Sequence, residues 1–237
     1  MSDSSKNQPI FHINKVGNIN SSDVTIQGDQ IGIQHNHSPA TEQNNRDRPK
    51  TRTILFLAAS PADRPRLRLD EEAHIITQAL QRSNYGDRFQ LEQHWAVRPE
   101  DLHFLLPKFQ PQILYFCCHG EGDKGIVLDD GNGKAQLVAT EALADHLSRF
   151  PTVECVVLNS CYSDKQAEAI VQHIPYVIGM NSAIFDRAAL KFAQGFYNAL
   201  GADLTYEAAY QNGKDAIALE NIPQSQIPIL KQKFKND

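Results

Sequence analysis

Two side chains capable of covalent chemistry stand at the ends of two apolar runs: His119 closes one in YFCCHGEGDKG, and Cys161 closes the next in VECVVLNSCYSD, 42 positions later. A cysteine attacks as the thiolate, and an ordinary pKa of about 8.5 leaves only a small fraction ionised at neutral pH. An imidazole beside it takes the proton or stabilises the anion, then returns a proton to a leaving amine. The chemistry of such a pair is acyl transfer, through a thioester that water opens to an acid. Each tetrahedral intermediate needs donors for its oxyanion, and the backbone N–H groups of Gly120 and Cys161 are available. Gly120 has no side chain, so another backbone can approach it closely.

That chemistry requires the two runs to be neighbouring strands. TILFLAAS predicts a strand, and LDEEAHIITQALQRS a helix with Leu69, Ala73, Ile76 and Leu80 on one face and acids in its first turn. RFQLEQHWAV predicts a second strand, PEDLHFLLPKF a helix opened by proline, and QILYFCC a third strand ending at His119. GIVLDD and AQLV form a hairpin across Gly131-Asn132-Gly133, which supplies the positive φ angles of a tight turn. Thr140 is expected to cap the helix EALADHLSRF, and Asp164 the helix KQAEAIVQHI. ECVVLNS is the fourth strand, with Cys161 at its exit, and PYVIGM is the fifth. Two amphipathic helices, DRAALKFAQGFYNALG and LTYEAAYQNGKDAIAL, follow. The alternation predicts an α/β fold, a mostly parallel sheet with helices on both faces. Ligands of such sheets sit at the carboxyl ends of the strands, where His119 and Cys161 both lie.

Other chemistries fit less well. The four cysteines, Cys117, Cys118, Cys155 and Cys161, share one central segment rather than forming a disulfide framework. Three of them read as core thiols. Cys117, Cys118 and His119 are consecutive and alternate faces, so they cannot close a zinc site, and His35 and His37 lack further ligands. Neither metal nor cofactor is expected. DDGNGK lacks the full phosphate-loop spacing and a hydroxyl residue after Lys134, which leaves it a turn. A net charge of -5 argues against an electrostatic grip on nucleic acid or anionic lipid, and Arg46, Arg48, Lys50 and Arg52 read as a solvated linker. No apolar stretch approaches the ~20 residues of a membrane span, and MSDSSKNQ lacks the order of a secretory signal, so a cytoplasmic protein is expected.

Residues 1–50 are rich in Asn, Gln, Ser, Asp and His and read as a flexible polar tail and linker. Within them Val16, Ile19, Val24, Ile26, Ile31 and Ile33 stand among glycines in a short-strand pattern. VTIQGDQIGIQ is similar to amyloid signalling motifs, which allows self-association through the tail. Residues 51–220 read as one folded domain and 221–237 as a C-terminal extension.

Over roughly Thr53 to Leu219 the chain resembles the CHAT domain, a bacterial branch of the caspase-like cysteine peptidases. The resemblance lies in ILFLAASPADRPRLRLDEEA, YFCCHGEG, VVLNSCYSD, YVIGM and FAQGFYNALG, in that order. It implies a caspase-like three-layer sandwich, His119 as general base, Cys161 as nucleophile, and the Gly120 and Cys161 amides as oxyanion donors. It also implies cleavage of a protein substrate in bacterial defence or programmed cell death, switched on by a sensor. That sensor is expected to be a separate protein engaging the N-terminal tail. In relatives the residue two before the nucleophile lines the primary pocket; here it is the neutral Asn159, which gives no charge argument. Arg64, Arg66 and Arg68 could line a pocket for an acidic residue instead. The alternative function is a catalytically silent adaptor that assembles through its tail.

Overall fold

The apolar runs alternate with amphipathic ones from residue 52 onward, and strands alternate with helices accordingly. The structure, a computed structural model, describes residues 51–233, so the expectations for the tail lie outside the described residues. β1 (Arg52–Ala58) leads to α1 (Leu69–Gln81), β2 (Phe89–Trp95) to α2 (Pro99–Phe109), and β3 (Ile113–Cys117) to β4 (His119–Gly120), β5 (Gly125–Asp129) and β6 (Ala135–Ala139). Then come α3 (Thr140–Leu147), β7 (Cys155–Asn159), α4 (Asp164–Ile170), β8 (Tyr176–Met180), α5 (Asp186–Gly201), α6 (Tyr206–Leu219) and β9 (Pro228–Gln232).

The larger sheet runs β2-β1-β3-β7-β8-β9. Every neighbouring pair in it is parallel except β8 with β9. Its central strands are apolar throughout because both faces are covered. Ile54, Phe56, Tyr115, Cys117, Cys155 and Val157 pack against α1, α5 and α6. The alternate residues Leu55, Leu57, Leu114, Phe116, Val156 and Leu158 pack against α2, α3 and α4. Each large apolar side chain so buried contributes about 1.5–3 kcal/mol, which makes these central strands the rigid part on which a site can be built. Among the described residues no helix is long and apolar enough to cross a membrane.

Three local expectations change. His119 does not end the third strand; it opens β4, which pairs antiparallel with β5 (His119 opposite Val127, Gly120 opposite Ile126) in a separate three-stranded sheet. Thr140 and Asp164 are the first residues of α3 and α4 rather than their caps. Thr140 Oγ1 donates to the Asp123 carbonyl (3.1 Å) and accepts from Gln166 Nε2 (2.9 Å), so a tertiary contact has claimed the hydroxyl. β9 was not expected at all. PILKQ carries too few apolar residues to signal a strand, because an edge strand needs only one paired side.

Candidate active site

The last register pair of β3 and β7 is Cys117 opposite Asn159. His119 and Cys161 each lie two residues beyond that pair, at the same edge of the sheet. The two exits then touch, since a Cβ added to Gly120 would lie 2.0 Å from the carbonyl oxygen of Cys161. Only a residue without a side chain permits this approach. Beyond the nucleophile position Tyr162 takes a left-handed conformation (φ 55°) and donates its N–H to Ser182 O (3.2 Å), which turns the chain out of β7 toward α4.

Each of the two reactive side chains bonds a backbone carbonyl. His119 Nε2 lies 2.8 Å from the carbonyl oxygen of Pro65, in the loop between β1 and α1. A carbonyl can only accept, so this contact requires the proton on Nε2 and leaves the lone pair on Nδ1. The Cys161 thiol makes a long contact, 3.9 Å, to the Ile184 carbonyl. Both side chains border one cavity of about 50 Å³, which Asn159 and Ser160 also line. Of the four cysteines only Cys161 is partly exposed. Burial pushes the Cys118 thiol up to about 12 and raises Cys117 and Cys155 as well, so these three are inert core thiols.

A buried carboxylate on this cavity carried no prediction. Glu72, in the first turn of α1, is 4% exposed and sits under both strand exits. Its carboxylate accepts from Tyr115 Oη, from Cys117 Sγ (2.9 Å) and from Asn159 Nδ2. Glu72 therefore ties together the last paired residues of β3 and β7. Burial raises its pKa, the three donors oppose that rise, and the nearby Asp186 carboxylate adds to it. A signal for Glu72 existed, because it lies four residues before Ile76 and seven before Ala79 on the apolar stripe of α1. Pro65 had none, since a backbone carbonyl leaves no trace in residue type.

Asn159 is 6% exposed and borders this cavity. Of the three arginines, Arg64 pairs with Glu121 (2.7 Å), and Arg68 lines the cavity while reaching Glu71 (3.0 Å) and Asp186 (3.9 Å). Arg66 lies in a different hollow, beside Trp95. Among the described residues no group of three or more His, Cys, Asp or Glu could hold a metal ion.

The model of the CHAT domain family matches residues 20–226. A "Roc-COR-CHAT protease" from an unknown prokaryotic organism is 24% identical over 231 residues, 91% of this chain and 22% of that protein. The chain thus spans about a fifth of the length of that curated relative. Among solved structures, a secreted C11 cysteine protease of Bacteroides thetaiotaomicron, bound to an irreversible peptide inhibitor, superposes with a TM-score of 0.51 at 14% identity. The match covers 72% of this chain and 60% of that one. The Drosophila initiator caspase Dronc gives 0.51 at 12% identity, covering 78% and 81%. The Arg-specific proteinase gingipain R gives 0.52 at 11%, covering 79% and 47%. At these identities the structural likenesses speak for the fold, which is caspase-like.

Proposed function

The chain belongs to the CHAT domain family, and from that premise we propose that it is a cysteine endopeptidase with Cys161 as nucleophile and His119 as general base. The observation that carries this reading is the contact of the two strand exits, Gly120 against the Cys161 backbone, which makes His119 and Cys161 walls of one cavity. In the proposed cycle, His119 Nδ1 takes the thiol proton and Sγ bonds to the scissile carbonyl carbon. Collapse of the tetrahedral intermediate breaks the C–N bond, and the imidazolium gives its proton to the leaving amine. Water, deprotonated by His119, then opens the thioester, and the carboxylic acid leaves. Pro65 acts by fixing the Nε2–H tautomer and with it the ring's orientation.

The oxyanion donors in this reading are the N–H groups of Gly120 and Cys161. Support for Gly120 comes from the ladder. Glu121 N–H donates to Gly125 O (2.9 Å), and alternate residues of an antiparallel pair point opposite ways, so the Gly120 N–H is directed away from β5. The wider setting belongs to the same proposal: an effector protease of bacterial defence or programmed cell death, cytoplasmic, activated by a separate sensor that meets the N-terminal residues. The resemblance of YFCCHGEG and VVLNSCYSD to the family supports it.

The test is mapping of new protein termini in cells expressing wild type or Cys161→Ala, together with labelling by a thiol-reactive peptide probe. New termini and labelling that depend on Cys161 are expected, with the fold retained. Equal outcomes for the two chains sink the peptidase. A biological output that survives Cys161→Ala but is lost on deleting residues 1–50 would identify the silent adaptor instead.

A further inference from the structure

A peptidase must choose which side chain it holds beside its nucleophile, and the position two before Cys161 is the neutral Asn159. The charge enters from another element. We propose that the cavity beside His119 and Cys161 is a subsite for a cationic side chain of the cleaved protein, lysine or arginine, with Glu72 of α1 as its counter-charge. The proposal rests on the peptidase reading and adds the substrate class.

Residues that line the cavity carry acceptors. Glu72 holds three donors, Tyr115 Oη, Cys117 Sγ and Asn159 Nδ2, and among the described residues no lysine or arginine pairs with it. Because Asn159 Nδ2 is committed to a carboxylate, the amide cannot be turned round, and its Oδ1 must face elsewhere. That oxygen is buried without a partner, and so is the Ser160 hydroxyl next to it. A carboxylate, an amide oxygen and a hydroxyl are what an ammonium with three donors or a guanidinium with five requires. Asp186 and Arg68 also line the cavity and pair with each other (3.9 Å), Arg68 reaching Glu71 as well (3.0 Å), so Glu72 is the carboxylate of this lining that has no cationic partner among the described residues.

The same groups reject the alternatives. An acidic side chain would meet the Glu72 carboxylate, while an aliphatic one would bury Glu72 and Asn159 Oδ1 with nothing to pair them. The three arginines considered for an acidic substrate residue are occupied or elsewhere: Arg64 is neutralised by Glu121, Arg68 on the cavity itself pairs with Glu71 and Asp186, and Arg66 lines the hollow beside Trp95.

Peptide libraries varied at the residue before the scissile bond test this on the full chain. Wild type should prefer Lys and Arg over Leu and Asp by about 100-fold, the penalty of leaving one partner of a buried charge pair alone. Glu72→Gln should collapse that ratio, whatever it does to the absolute rates. A wild-type preference for Leu or Asp overturns the proposal, as does a Glu72→Gln variant that slows all peptides in equal proportion. The wild-type profile decides even if the variant does not fold. Should no peptide be cleaved and Cys161 remain unlabelled, the peptidase reading has failed, and the subsite is read by NMR titration with n-butylguanidine. Saturable binding that Glu72→Gln abolishes supports the cationic subsite, and absence of binding by wild type overturns it.

Discussion

Two carboxylate clusters stand near strand ends in this molecule, and they differ in whether their hydrogen bonds close locally. In the turn between β5 and β6, Asp129 Oδ1 accepts from the N–H groups of Gly131 (2.7 Å) and Gly133 (3.4 Å). Asp130 Oδ1 accepts from those of Asn132 (2.7 Å) and Lys134 (2.9 Å), which holds its pKa below the usual carboxylate range. Every partner lies within four residues. Glu72 instead bonds Tyr115, Cys117 and Asn159, which are 43, 45 and 87 positions away. Beside that long-range cluster two buried oxygens stay open. The first cluster is a turn that satisfies itself; the second joins distant strands and leaves acceptors for something else.

The turn still serves the site, at one remove. Ala62 N–H donates to Gly133 O (2.7 Å), and Asp63 Oδ1 accepts from Ala135 N–H (2.9 Å), so the turn fastens the loop whose Pro65 carbonyl meets His119. A strict division between scaffold and site therefore predicts a graded series of effects. The largest should come from Glu72→Ala, which strands three buried donors and lowers stability by about 3–5 kcal/mol, read as the urea midpoint. A loss below ~1 kcal/mol would make this cluster no more important than the turn.

Glu72 also fixes a pH dependence. Its folded-state pKa is raised above 4.5, chiefly by burial. The folded chain therefore holds this proton more tightly than the unfolded chain does. The stability it contributes is complete below about pH 4.5 and is lost as pH rises through the folded value, at up to about 1.4 kcal/mol per unit. Comparing wild type with Glu72→Gln across that window should isolate the slope, which the variant lacks. Parallel curves would place the carboxylate in water in both states.

Next in size is Gly120→Ala. The added Cβ would meet the Cys161 carbonyl oxygen at 2.0 Å, a backbone atom that cannot rotate away. We expect about 1–3 kcal/mol of lost stability from overpacking and about a 100-fold fall in kcat/KM as the two exits separate. Normal peptide cleavage by the folded variant would detach the catalytic geometry from this contact.

Much of this was legible beforehand, for reasons particular residues make plain. β1, β3 and β7 read as strands because burial on both faces leaves runs such as ILFLA and CVVL without a polar break. The turn was legible through Gly131 and Gly133, which take φ of 83° and 76°. His119 and Cys161 stood out by type at the ends of apolar runs. Long-range pairing was less accessible. β9 has a mixed edge-strand composition, and Thr140 looked like a cap because a sequence does not reveal that Asp123 and Gln166 will take its hydroxyl. The neutral Asn159 concealed the charge at its side, since Glu72 arrives from a helix 87 positions earlier and resembled an ordinary first-turn acid.

Smaller effects belong to the turn. Asp129→Ala removes one acceptor shared by two backbone donors and should cost about 1–2 kcal/mol. Gly133→Ala should cost less, and it is the sharper probe of the division. Its φ of 76° penalises any side chain by about 1 kcal/mol, yet the added Cβ would find only Ala62 Cβ, at an ordinary 3.8 Å. Strain without collision leaves the turn in place, with Gly133 O still facing Ala62 N–H, so kcat/KM should stay within about twofold. Asparagine tolerates the left-handed region better than alanine, so Gly133→Asn should recover part of the lost stability. If Gly133→Ala instead lowered kcat/KM as far as Gly120→Ala, with Gly133→Asn restoring it, the turn would control His119 through the Pro65 loop, and the two clusters would form one functional unit.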